Sequence, residues 1–153
     1  MIKCITLLSA LVVVLAACQS STDSGNAPAA GASETAGIAT PGSLPISVER
    51  ATQLFTDLCV QQAPFFSGTV AIAIAHGFAP NPFMGTYFHP TENLSITTRD
   101  GVCSMVFASD ADRQALQDSL IPLVPDDMSV VFGPQRFSSG NEYYAISIGP
   151  RPT

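Results

Sequence analysis

The chain is predicted to fold as an α+β domain, an antiparallel sheet of four to five strands packed on about three helices, after a signal peptide and a disordered linker. Three observations carry that prediction. Helical patterns precede and then interrupt a run of consecutive strands. An Asp-Gly dipeptide joins two alternating segments of matching length. All nine Phe and all three Tyr fall after residue 45, an aromatic stock sufficient for one core.

The elements follow in order. Ser47 is an N-cap candidate and Glu49 sits in the first turn, while Val48, Ala51, Phe55, Leu58 and Cys59 repeat at helical spacing until Pro64 stops the run. This stripe puts Cys59 on a buried face. Ser67 could cap a second helix ending at His76 with Gly77 at C′, although Val70, Ile72 and Ile74 alternate with alanines as in a strand. The cap and stop residues agree with a helix and the three alanines favour it, which decides for a helix.

A short strand is expected at Gly85 to Phe88. Leu94 to Thr98 and Val102 to Phe107 then flank Asp100-Gly101, a preferred two-residue turn. Pairing Arg99 with Val102 sets Thr98 opposite Cys103, Ile96 opposite Met105 and Leu94 opposite Phe107. The apolar residues then share one face, and Cys103 points to the core. Ser109-Asp110-Ala111-Asp112 fits a capping box for a third helix over about Asp110 to Ile121, with Ala111, Ala115, Leu116 and Leu120 as its stripe. Met128 to Phe132 and Tyr143 to Ile148 read as the last strands, with Ser138 to Asn141 as the turn region between them.

The first seventeen residues are different in kind. Lys3 supplies a positive start, and the apolar stretch from Ile5 to Leu15 is too short for a membrane span, which needs about 20 residues, but suits a signal peptide. Leu15-Ala16-Ala17-Cys18 resembles the lipobox of bacterial lipoproteins. That resemblance implies cleavage before Cys18, a diacylglycerol on its thiol and acylation of the new amino group. Two or three chains anchor a protein far more firmly than one, since each buried methylene contributes about 0.8 kcal/mol. Gln19 stands where inner-membrane retention mainly uses Asp, so the resemblance implies the outer membrane, inner leaflet, facing the periplasm.

From Gln19 to Pro45, 21 of 27 residues are Ala, Gly, Ser, Thr or Pro, so this stretch is expected to be a disordered tether with a root-mean-square reach of about 26–31 Å. The expected organisation is therefore a signal peptide over 1–17, a lipidated Cys18 and tether over 18–45, and a single domain over 46–153. No later apolar run is long enough to predict a spanning helix.

Lys3 is the only lysine, so the cut chain keeps five arginines against twelve acidic side chains, a formal charge of −7. No Lys and Arg cluster is present, which argues against nucleic acid as a partner. Removing Cys4 with the signal and lipidating Cys18 leaves Cys59 and Cys103 as an even pair in an oxidising compartment, read as a disulfide. Two buried free thiols, or a redox or metal pair, are the alternatives, although the redox Cys-x-x-Cys spacing is absent.

Catalytic sets are sparse. His76 and His89 are the only histidines, and no Gly-x-Ser-x-Gly, His-Glu-x-x-His or phosphate-binding glycine loop occurs. His76 is expected at a helix C-terminus, where the dipole favours it. His89-Pro90-Thr91-Glu92 is the one local His and carboxylate pairing, read first as a turn. A copper set of Met84, His89 and Met105 is weighed against core filling, and core filling is preferred. Asp126-Asp127 reads as a turn, and Asp110 with Asp112 as a cap. No cofactor and no metal are expected.

The segment Gly85-Thr86-Tyr87-Phe88-His89-Pro90-Thr91-Glu92-Asn93-Leu94-Ser95, followed by Gly101-Val102-Cys103-Ser104-Met105-Val106-Phe107 and preceded by Cys59, resembles small secreted proteins of alphaproteobacteria. The likeness covers about half of the domain. It supports pairing of Cys59 with Cys103 and brings no activity with it. The expected function is a membrane-anchored envelope lipoprotein with a small periplasmic binding or structural domain, not an enzyme, whose partners are the membrane and an envelope protein. The alternatives are a small hydrolase using His89 and a periplasmic enzyme inhibitor, which would present an exposed rigid loop around Phe78 to Phe83.

Overall fold

In the computed structural model, the residues described are 40–137 and 142–152. Three α-helices and a six-stranded antiparallel sheet make up the domain, an α+β fold with slightly more strands than expected. The helices are α1 (Val48–Leu58), α2 (Thr69–Ala75) and α3 (Arg113–Leu120). The strands are β1 (Ala79–Asn81), β2 (Thr86–Phe88), β3 (Leu94–Arg99), β4 (Val102–Phe107), β5 (Met128–Arg136) and β6 (Glu142–Pro150).

The start of α1 follows its sequence signals, with the Ser47 hydroxyl accepting from the Arg50 amide at 3.2 Å. Its buried face is Ala51, Leu54, Phe55 and Leu58, and Cys59 at the C-cap is fully buried. The second helix is a helix, as the stop residue indicated. His76 is its C-cap and Gly77 takes φ +88°, while Gly77 N–H donates to Ile74 and Phe78 N–H to Ala73, the pair of bonds that defines a Schellman end. The cap at its other end differs from expectation: Gly68, not Ser67, holds the N-cap position, without a side-chain bond.

The sheet runs in the order β1-β2-β3-β4-β6-β5. The β3–β4 register is the one the apolar pattern demanded, Arg99 opposite Val102 through Leu94 opposite Phe107. Asp100 and Gly101 both have positive φ, 52° and 74°, as a turn matched to the strand twist requires. Strand β1 was not anticipated; it carries Pro80, which cannot donate to a ladder, and it is an edge paired only with β2, where proline is tolerated. Strands β5 and β6 extend beyond their expected limits, and β5 carries Gly133 and Pro134 because it is the other edge.

Helix α3 begins three residues later than expected. Asp112 is the N-cap, accepting from the Ala115 amide at 3.0 Å. Ser109 does other work, donating to the Ile46 carbonyl at 2.6 Å and accepting from the Ala111 amide. The chain passes from β4 through α3 to β5 at the far edge, and β6 fills the position between those strands.

One face of the sheet packs on the helices. Leu94, Ile96, Cys103, Met105, Phe107, Tyr144, Ile146 and Ile148 meet Leu54, Phe55, Leu58, Leu116 and Leu120 in one cluster of buried side chains. Tyr144 stacks on Phe132 at 5.9 Å between ring centroids, closing the β5 end. Cys59 and Cys103 are bonded, tying the end of α1 to the middle of the sheet.

Residues 42–44 belong to the ordered contacts, although composition grouped them with the tether. Gly42 N–H donates to His89, Leu44 N–H to Thr91, and Asn93 N–H to Leu44 at 2.7 Å. No helix among the described residues is long and apolar enough to cross a membrane.

Candidate functional site

The opposite face of the sheet has no helix layer among the described elements. Alternation places Phe88, Ser95, Val106 and Ala145 in one row across β2, β3, β4 and β6 on that face, since Phe88 pairs with Ser95, Ser95 with Val106 and Val106 with Ala145. Beside this row the face is polar, with the Ser104 and Ser147 hydroxyls 2.8 Å apart and those of Thr86 and Thr97 3.0 Å apart. Phe88 is 8% exposed yet lies outside the main core cluster, so its burial comes from this second face.

What covers Phe88 is a half-open groove of about 210 Å³ lined by Pro41, Met84, Phe88, Val106, Phe137 and Tyr143, with Asn93, Leu94 and Ser95 completing it. None of these residues is charged. Phe137 packs edge-on against Tyr143 at 5.0 Å between centroids. The Tyr143 hydroxyl accepts from the Asn93 amide nitrogen at 3.2 Å, which holds the aromatic wall upright. Met84 and Phe137 form the rim and stay 61% and 52% exposed. A concave, mostly apolar surface with a few placed polar groups is the usual form of a binding site.

The residues singled out from the sequence fall elsewhere. Cys18 lies outside the described residues. Cys59 and Cys103 form a buried disulfide and offer no thiol. His89 is held by its turn: Nδ1 accepts the Glu92 amide at 3.0 Å, so in the neutral ring the proton sits on Nε2. Glu92 gives both carboxylate oxygens to the Arg50 guanidinium, with contacts of 3.0–3.3 Å. A general base oriented by a carboxylate needs the reverse arrangement, with Nδ1–H donating to the acid and Nε2 open. The Phe78 ring meets the His89 ring edge-on at 5.3 Å.

His76 is at the end of α2 as expected, with Asp57 of α1 as a carboxylate partner at 3.3 Å. Among the described residues no Ser or Cys side chain hydrogen-bonds either imidazole. Met105 is fully buried on the helix-covered face, whereas Met84 rims the groove on the other, so the two thioethers do not converge on a metal with His89. No group of three His, Cys, Asp or Glu that could hold a metal occurs among the described residues. Asp126 and Asp127 are exposed in a turn, and Asp110 is exposed ahead of the Asp112 cap. The segment Phe78 to Phe83 is only partly a loop: Phe78 is buried and Ala79–Asn81 pair with β2, leaving Phe83 and Met84 as its exposed tip.

Among the described residues, two titratable groups are displaced from their ordinary values. The backbone amide and the Ser47 hydroxyl at the start of α1 lower Glu49, and burial, then the Glu142 and Asp112 carboxylates, raise Tyr144. Neither lines the groove. Sequence reasoning missed the groove because its walls come from positions scattered between 41 and 143. The available signal was weak, namely large apolar residues at Met84 and Phe137 in segments otherwise polar or irregular. No family model, no curated protein and no solved structure matches the chain.

Proposed function

We propose that this chain is an envelope lipoprotein, cut before Cys18 and held through lipid on that residue at the inner leaflet of the outer membrane. Its domain is a non-catalytic binding module facing the periplasm that works through the groove on the uncovered sheet face. The Leu15-Ala16-Ala17-Cys18 motif supports the anchor. The observation that carries the binding role is the uncharged, aromatic-walled groove with Met84 and Phe137 left exposed at its rim. Exposed apolar side chains scattered singly need no partner, but two of them at the rim of one concave, uncharged surface mark that surface for contact. The His89 arrangement supports a structural use of the one local His and carboxylate pairing.

Two experiments test this reading. Cys18→Ala should move the protein from the membrane to the soluble fraction and abolish fatty-acid labelling; an unchanged membrane fraction refutes the anchor. A photo-crosslinking side chain at position 137 should give adducts in whole cells, and one at exposed Asp126 should not. Equal yields from the two positions refute the groove as the binding surface.

A further inference from the structure

The groove has a geometric relation to the anchor that narrows its partner. The described chain begins at Thr40, and the next residue, Pro41, lines the groove. The hydrogen bonds of Gly42 and Leu44 to the 89–91 segment fix that entry point. The described chain therefore enters the domain beside the groove. Twenty-two residues separate Cys18 from Pro41, a length that spans at most about 80 Å even when fully extended. A lipid at Cys18 thus keeps the whole domain within that reach of one bilayer, at a high effective concentration, and a weak contact through this face suffices to dock it.

Charge points the same way. The cut chain carries a formal −7, while none of the nine residues lining the groove is charged. Any leaflet with anionic headgroups repels an acidic surface, and the uncharged face is the one that approaches a bilayer of either kind without that penalty. The rim has the matching chemistry. Met84 and Phe137 are more than half exposed, Phe83 beside Met84 is 80% exposed, and Tyr143 adds an aromatic ring with a polar end. Such side chains favour the boundary between headgroups and acyl chains, where an apolar body and a polar tip are both satisfied.

We infer that the groove face docks on the surface of the lipid bilayer that holds the anchor, with Met84 and Phe137 seated at the boundary between headgroups and acyl chains. The inference rests on lipid attachment at Cys18. It makes the bilayer, and not a protein, the partner of the groove.

The chain contains no Trp, so single tryptophans report without background. The full mature protein is placed in phosphatidylcholine vesicles, with or without bromine on the acyl chains, as Phe137→Trp, Met84→Trp or Phe65→Trp. Phe65 is 84% exposed and does not line the groove, which makes it the control. Urea midpoints matching the wild type certify each variant, and either rim position can stand for the other. Brominated lipid should quench positions 137 and 84 severalfold more than 65, with blue-shifted emission at both. Lipid present at Cys18 by intact mass, with equal or absent quenching at all three positions, overturns the docking and leaves the anchor standing. A blue shift at 137 without bromine quenching means a protein segment or partner fills the groove, and also overturns it. Absence of lipid mass at Cys18 removes the anchor and the docking together.

Discussion

Breaking the Cys59–Cys103 bond should destabilise the domain by several kcal/mol. The two cysteines are 44 residues apart and join the end of α1 to β4, where Cys103 lies opposite Thr98 of β3 and Ile148 of β6. The crosslink restricts the unfolded chain. For a closed loop of about 45 residues, the loop-entropy relation gives roughly 13 cal/mol/K, or about 4 kcal/mol at 25 °C, with measured values commonly 2–4. Both sulfurs are fully buried, so Cys59→Ala with Cys103→Ala adds a small cavity on top. The assay is urea unfolding of wild type, each single alanine variant and the double variant. All three variants should lose about 3–4 kcal/mol, because each removes the same crosslink. Reductant should act on the wild type only as fast as the native state opens, since no sulfur is accessible. A loss below about 1 kcal/mol in the double variant would refute the reasoning, as would prompt reduction of the folded protein.

Three further outcomes are expected. Glu92→Gln removes the charge that accepts from Nε and Nη2 of Arg50 and should lower stability by about 1–2 kcal/mol, with a double-mutant cycle against Arg50→Met recovering most of that as coupling; purely additive losses would show that the pair contributes nothing. Gly42→Ala places a methyl on the backbone carbonyl of Thr91 and should cost about 1–3 kcal/mol, with amide-exchange protection lost first at Leu44 and Asn93; unchanged protection would contradict the packing of residues 42–44. Tyr144 has a folded pKa above its unfolded value of about 10, so the folded state keeps the proton longer. Stability should therefore be constant below that range and fall as pH rises through and beyond it. Urea midpoints measured across the alkaline range should show a smaller fall in Tyr144→Phe, and identical profiles would refute the assignment.

Much of the fold was legible because it is written in local pattern. The β3–β4 register needed only the alternation of Leu94, Ile96, Met105 and Phe107 around Asp100-Gly101. The end of α2 needed only Gly77, whose positive φ a side chain would oppose. Errors came where two local readings compete for the same residues. Ser109 could cap a helix, but the Ile46 carbonyl engages its hydroxyl, and Asp112 takes over the cap. Pro80 argues against a strand unless that strand is an edge, and edge position is a property of the whole sheet. The candidate site was less legible still. His89 and Glu92 were visible as neighbours, but Arg50, 42 residues before Glu92, decides where that carboxylate points.

By itself the sequence determined the α+β class, the register of the central hairpin and the lone pair of domain cysteines, because periodicity, turn chemistry and counting act over a few residues. Only the tertiary structure decided that β6 lies inside β5, that the helices gather on one face, and that Pro41, Met84, Phe137 and Tyr143 meet on the other. The physical reason is that an alternating strand specifies two faces without saying which will be covered. Packing of α1 and α3 on the row from Leu94 to Ile148 makes that choice, and the groove is what it leaves exposed.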